Sequence, residues 1–301
     1  AGDGYYDAAA AELRTPRPPE GLPYPTRSVF NWRPPTLAVL LGTLGTHGSQ
    51  MLLAGMGLAS LALWWRALAG QPAGVRWAAL VGLASGLLYC VPGWLDDARF
   101  VHETWAGVLL TLALGAGLGG WLGVAVAAAL AAACMRELAL LPLLVLVVVP
   151  FSVGTPTARR ERLIWAAAFT VALALWAAHA WKVQALILPT DRAHEGSWLA
   201  LGGWRFVLKP AHLHPLALPL LPTAPWVLAL VLPVLLWALS AWPLPRGAAM
   251  KAVLGGYLVA YLFVGQPFNF LWGLTYTPLL GLGLAGLAAL VSRPTSANVT
   301  G

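Results

Sequence analysis

The chain confines almost all of its ionisable side chains to the gaps between nine apolar runs, at 51–66, 77–93, 105–119, 121–135, 138–152, 163–181, 225–242, 248–264 and 272–291. Runs of this kind leave no polar face for water, so they are expected to form helices packed against lipid and one another. A helix needs about 20 apolar residues to cross the hydrocarbon, so the shorter runs must lean on interfacial Trp and Gly. Only 10% of residues are charged and 59% are hydrophobic, with a mean hydropathy of +0.74. The fold class expected is all-α: a polytopic transmembrane bundle of about nine spans with amphipathic helices lying on its outer face. Residues 1–50 form an outer-face segment, 51–291 the membrane domain with an outer loop at 182–224, and 292–301 a cytoplasmic tail.

Orientation follows from Lys and Arg in the short connections. Arg66, Arg76, Arg159, Arg160, Arg162, Arg246, Lys251 and Arg293 fall on one side with a single acid, Glu161. That side is read as cytoplasmic. The opposite side holds Asp3, Asp7, Glu12, Glu20, Asp96, Asp97, Glu103, Glu137, Asp191 and Glu195, and all six histidines. A purely structural bundle has no reason to sort its titratable groups this way, so the outer face is read as the working face. The chain therefore begins outside, and a signal peptide or a first helix is expected ahead of residue 1.

Several function classes lose support. The net charge of +7 is spread around membrane ends with no long basic run, so nucleic acid is not an expected partner. Cys90 and Cys134 both fall within apolar runs and offer no disulfide framework. No GxGxxG, Walker loop, Gly-x-Ser-x-Gly elbow or HExxH is present. His194, His212 and His214, with Asp191 and Glu195, make a poor zinc set, and no metal site is assigned. A divalent ion bridging a phosphate and an outer carboxylate is the one cofactor left open.

Four outer segments carry the candidate chemistry. The first helix repeats Tyr5, Tyr6, Ala9 and Leu13 at helical spacing, and the prolines after Arg14 end it. Arg27-Ser-Val-Phe-Asn-Trp-Arg33-Pro-Pro-Thr36 follows, then an apolar run to Leu44 and a flexible turn over Gly42–Ser49. Asp96–Trp105 contributes His102 and Glu103, the turn at 136–137 contributes Arg136 and Glu137, and Gly265–Trp272 contributes Asn269 and Trp272. Ionisable residues at membrane depth persist only when paired or when they line a wet cavity.

In order, Gly2-Asp3-Gly-Tyr-Tyr-Asp7, Tyr24–Thr36, Phe100-Val-His-Glu-Thr-Trp-Ala-Gly107, Met135-Arg-Glu-Leu-Ala139, Trp198–Trp204 and Gly265–Gly273 resemble bacterial polytopic proteins of cell-surface glycopolymer formation, which are similar to the GT-C glycosyltransferase superfamily. The resemblance runs from Gly2 to about Leu290. It implies an enzyme of the bacterial inner membrane that takes a sugar from a polyprenyl-phosphate donor and passes it to a glycan or lipid acceptor at the periplasmic or extracellular face. An acid just past the first transmembrane helix serves such enzymes as general base, which assigns Asp3, or Asp7 one turn later, as catalytic. Substrate-binding residues are then Arg27, Arg33, His102, Glu103, Arg136, Glu137, Arg205, Asn269 and Trp272: cations for the departing phosphate, carboxylate and imidazole for hydroxyls, and an aromatic ring for the sugar. The alternative is a non-catalytic integral subunit of a larger membrane assembly, for which sixteen Trp offer contact anchors.

Overall fold

The computed structural model describes residues 4–16, 21, 23–92, 96–193, 196–197, 199, 206–209, 234–240 and 247–292. Among these the chain is helical. The α-helices are α1 (Tyr5–Arg14), α2 (Thr36–Ala67), α3 (Ala73–Gly86), α4 (His102–Leu118), α5 (Leu122–Met135), α6 (Leu140–Val148), α7 (Ala158–Gln184), α8 (Gly247–Phe263), α9 (Thr277–Leu280) and α10 (Gly283–Val291). Tighter 3-10 turns occur at Val29–Asn31, Leu88–Cys90, Asp96–Phe100, Glu137–Ala139 and Pro267–Thr275. An isolated antiparallel bridge joins Leu199 to Val264.

The centre of the bundle is α4. Its side chains from Glu103 through Leu118 are buried, Leu112 excepted, because α2, α5 and the Pro267–Thr275 segment all pack on it. A helix that is apolar all round belongs in such a place. Around it α6 packs on α7 and α8, and α3 packs on α9 and α10. The outer surface is apolar too: Leu58, Trp77, Val81, Leu163, Leu175 and Val259 are all exposed. A side chain of that type on the perimeter of an apolar bundle is a lipid-facing one.

Two helical runs, Val29–Ala67 and Ala158–Gln184, are long and apolar enough to cross a membrane, and the pair Asn269–Thr275 and Thr277–Val291, bent by 59°, makes a third if it counts as one span. The chain is therefore a membrane protein, but the nine crossings read from hydropathy are not established by helix length. The other apolar runs became α3, α4, α5, α6 and α8, of 14, 17, 14, 9 and 17 residues, each below the roughly 20 needed. Turn residues cut them short: Gly119 and Gly120 between α4 and α5, and Pro150 after α6. The run 225–242 is described only over 234–240.

A second difference lies near residue 50. The flexible turn expected over Gly42–Ser49 is part of α2, which continues from Thr36 with a kink at Gly45 (φ 67°, ψ 177°). A side chain would be strained at that φ, whereas glycine adopts it at little cost. The kink satisfies the sequence signal for a break while leaving the helix intact on either side.

Candidate functional site: a buried ion cluster beside an aromatic groove

At the end of the bundle where α4 begins and α5 ends, five of the expected residues meet. Glu103 lies in the first turn of α4 and Arg136 caps α5 in extended backbone. Arg136 Nε donates to Glu103 Oε1 at 2.7 Å, and its Nη1 donates to Glu137 Oε1. Arg33 Nη2 stands 4.0 Å from the same Glu103 oxygen. The Arg136 guanidinium also sits over the Trp272 ring, 5.8 Å from its centroid. Two guanidinium groups face two carboxylates, so the cluster is formally neutral. That balance lets Arg136 be 1% and Glu103 4% exposed without an uncompensated charge.

The two arginines differ in what they can do. Arg136 commits two nitrogens to carboxylates, and its role is to hold α4, α5 and the Trp272 segment together. Arg33 is 30% exposed and donates to the Phe30 carbonyl at 3.2 Å through Nη1. Of this pair, Arg33 is the cation that keeps exposed surface.

His102 stands beside Glu103 at the start of α4. Its Nε2 is buried and has no hydrogen-bond partner among the described residues, while the Pro34 carbonyl accepts from the ring. The proton therefore sits on the nitrogen that faces Pro34, and Nε2 carries a free lone pair able to receive a hydroxyl. The close approach of Trp272 rests on Gly107, one turn farther along α4. A Cβ there would collide with the Leu274 carbonyl oxygen, so the Pro267–Thr275 segment can lie flat on α4 only over glycine.

Against this cluster lies a groove of about 280 Å³, lined among others by Phe30, Glu137, Leu141, Tyr257, Ala260 and Trp272. Its walls are aromatic and aliphatic, and its polar end is the Glu137 carboxylate. Tyr261 OH donates to the Trp272 carbonyl at 3.1 Å and Tyr257 OH donates to that of Leu138 at 3.1 Å. These bonds leave the ring faces, not the hydroxyls, turned to the groove. A second groove of about 460 Å³ runs between α5 and α7, where Tyr6, Pro34, Trp176, His179 and Lys182 contribute to its walls.

The first helix is tied down over the same end. Arg14 grips Asp191 with two bonds of 2.8 and 2.9 Å and donates to the Leu186 carbonyl at 2.6 Å. The guanidinium holds the Asp191 carboxyl below the usual carboxylate range. Tyr5 OH donates to the Arg33 carbonyl at 2.8 Å. Tyr6 OH bonds His179 Nδ1 at 3.0 Å, whose Nε2 lies 3.4 Å from the Trp32 carbonyl. The donor to that carbonyl must be Nε2–H, which makes Nδ1 the acceptor of the tyrosine proton.

The remaining expected residues separate clearly. Asp7 is exposed on α1 and touches none of the cluster. Arg27 is exposed, and its backbone N–H donates to the Arg192 carbonyl. Asn269 is buried as a cap: its Oδ1 accepts from the Gln266 N–H at 2.8 Å, a structural duty. Asp3, Arg205, His194, His212, His214 and Glu195 lie outside the described residues. Among the described residues no group of three or more His, Cys, Asp or Glu could hold a metal ion.

Sequence reading missed Tyr257, Tyr261 and Leu141 as groove residues. The i, i+4 spacing of Tyr257 and Tyr261 does put both on one helix face, but nothing local reveals that this face meets α6. No protein-family model, no curated protein and no solved structure matches the chain.

Proposed function

We propose that this protein is a GT-C-like membrane glycosyltransferase of the bacterial inner membrane, which moves a sugar from a polyprenyl-phosphate donor to a glycan or lipid acceptor at its outer face. The observation that carries this reading is the junction of the apolar aromatic groove with the Arg33–Glu103–Arg136–Glu137 cluster and the free Nε2 of His102. A lipid-linked sugar phosphate is long and apolar at one end and anionic at the other, and this junction offers both environments in contact. In this reading the short helices α3, α4, α5, α6 and α8 and the apolar run 225–242 also cross a locally thinned bilayer, and with α2, α7 and the bent pair ending in α10 they make a nine-span bundle.

The chemistry assigns roles to the residues present. The prenyl chain lies between Phe30, Tyr257 and Trp272. Arg33 meets the phosphate, whose charge grows as the glycosidic bond to the sugar breaks. His102 Nε2 receives the acceptor hydroxyl, and Asp3, with Asp7 as alternate, takes its proton. The second groove, with Lys182 at its wall, accommodates the lipid portion of a lipid-borne acceptor.

A non-catalytic subunit of a membrane assembly is the second reading. It is favoured by one specific feature: Arg136 is saturated by two carboxylates and needs no ligand. Transfer from a polyprenyl-phosphate sugar by the reconstituted protein tests the two. The enzyme reading expects Asp3→Asn to lower the rate about 10²–10⁴-fold in inserted, folded protein, with Asp7→Asn as the internal control. Full activity in both single variants and in the double variant contradicts it.

A further inference from the structure

At the end of the bundle opposite the ion cluster, the C-terminus of α4, the N-terminus of α5 and the N-terminus of α7 enclose a second polar pocket, of about 300 Å³. Gly117, Ser152, Thr157, Arg160, Glu161 and Ile164 contribute to its walls. Glu161 is buried there and accepts from the backbone N–H groups of Phe151 and Ser152, at 2.8 and 2.9 Å, and from Trp165 Nε1 at 3.1 Å. A carboxylate has about four lone-pair sites. Three are filled, two of them on Oε1, so Oε2 retains one. The Ser152 hydroxyl is buried with no partner among the described residues, in a residue only 8% exposed.

The two halves of the pocket are chemically opposite. Arg160 and the first turn of a 27-residue helix favour an anion. Glu161 Oε2 favours a small hydrogen-bonding cation. An anion alone would meet the carboxylate, and a cation alone would meet Arg160. A ligand that carries both charges a few atoms apart meets neither penalty. The level in the membrane agrees: on the same end Arg76 stacks 3.6 Å from the Trp65 ring centroid and Arg66 lies 5.2 Å from that of Trp121. Arg–Trp pairs of this kind belong at head-group depth.

We propose that this pocket binds a phosphate ester bearing a primary ammonium, as in an ethanolamine phosphate head group. The phosphate lies against Arg160 and the Ser152 O–H, and the ammonium donates to Glu161 Oε2. The source is either a lipid of the adjoining leaflet or the soluble ester.

The test uses the full chain in nanodiscs and reads ligand retention by native mass spectrometry, with thermal unfolding in parallel. Phosphatidylethanolamine should be retained over phosphatidylcholine, whose trimethylammonium cannot donate, and over phosphatidylglycerol, which has no cation. Ser152→Ala and Arg160→Gln should each lower that retention by about tenfold, the weight of one hydrogen bond to a charged group. Arg160 is exposed and the Ser152 hydroxyl bonds nothing among the described residues, so Ser152→Ala should leave the lipid-free protein as stable as before. Soluble phosphoethanolamine that stabilises the protein in phosphatidylcholine discs identifies the soluble source; its failure beside a phosphatidylethanolamine effect identifies the lipid. Equal retention of all three lipids with no response to the ester overturns the proposal. So does a phosphatidylethanolamine preference that both variants keep. Sugar transfer is not read, so the outcome is independent of the function proposed for the opposite end.

Discussion

Arg136 Nε lies 2.7 Å from Glu103 Oε1 across 33 positions of sequence, and this bond joins the start of α4 to the end of α5 inside the bundle. Removing one partner leaves a buried charge uncompensated, which costs about 3–5 kcal/mol. Glu103→Gln should therefore lower the melting temperature in detergent far more than any surface change. The triple variant Glu103→Leu, Arg136→Met and Glu137→Gln should recover most of that loss, since it strands no partner of Arg136 and apolar replacements of a buried pair are often near neutral. A triple variant no better than Glu103→Gln would show that these residues do not act as a unit.

His102 separates structure from function. His102→Phe removes the unpartnered Nε2 and, with it, the hydrogen bond to the Pro34 carbonyl. The lost Pro34 bond should cost about 1 kcal/mol of stability, while transfer should fall far further. Equal losses of stability and activity would mark the ring as packing alone.

The tie between Arg14 and Asp191 gives a pH dependence. Arg14 depresses the folded-state pKa of Asp191 below the unfolded value of about 3.9. Its contribution is complete above that unfolded value and is lost as pH falls through the lower, folded one. Hydrogen exchange of α1 should be slow at neutral pH and should accelerate only in strong acid. Asp191→Asn should make α1 exchange fast at neutral pH as well. An α1 equally protected in that variant would contradict the tie.

Gly107 can be tested through size. Gly107→Ala forces its new methyl against the Leu274 backbone, an overpacking cost of about 1–3 kcal/mol. The segment bearing Trp272 should lift from Arg136, so Trp fluorescence should shift along with stability. Unchanged fluorescence would mean that the segment does not rest on α4.

These residues also show how far sequence carries. Helices and their apolar faces were legible, because the runs between charged gaps are long and the gaps hold Gly and Pro. The meeting of Glu103 with Arg136 was legible too: each sits at a helix end, and charges at such depth need partners. The number of crossings was not, since hydropathy alone cannot tell a lipid-facing helix from one such as α4 that is apolar because it is surrounded by protein. The duty of Asn269 as a cap was hidden because it depends on the backbone turn at Gln266. The aromatic groove was hidden because it forms only when α6 and α8 pack together. Arg33 and Arg136 looked equivalent until Glu137 was seen to occupy the second arm of one of them.

The central claim is sugar transfer through the aromatic groove, and the measurement that tests it most directly is transfer from a polyprenyl-phosphate sugar in proteoliposomes, comparing the wild type with Ala260→Trp. Ala260 lines the groove and is only partly buried, so the indole fills the space proposed for the prenyl chain while leaving the ion cluster in place. The expected result is transfer by the wild type and none by Ala260→Trp at an unchanged melting temperature. Transfer at the wild-type rate by a folded Ala260→Trp protein, or no transfer by the wild type, would contradict the account.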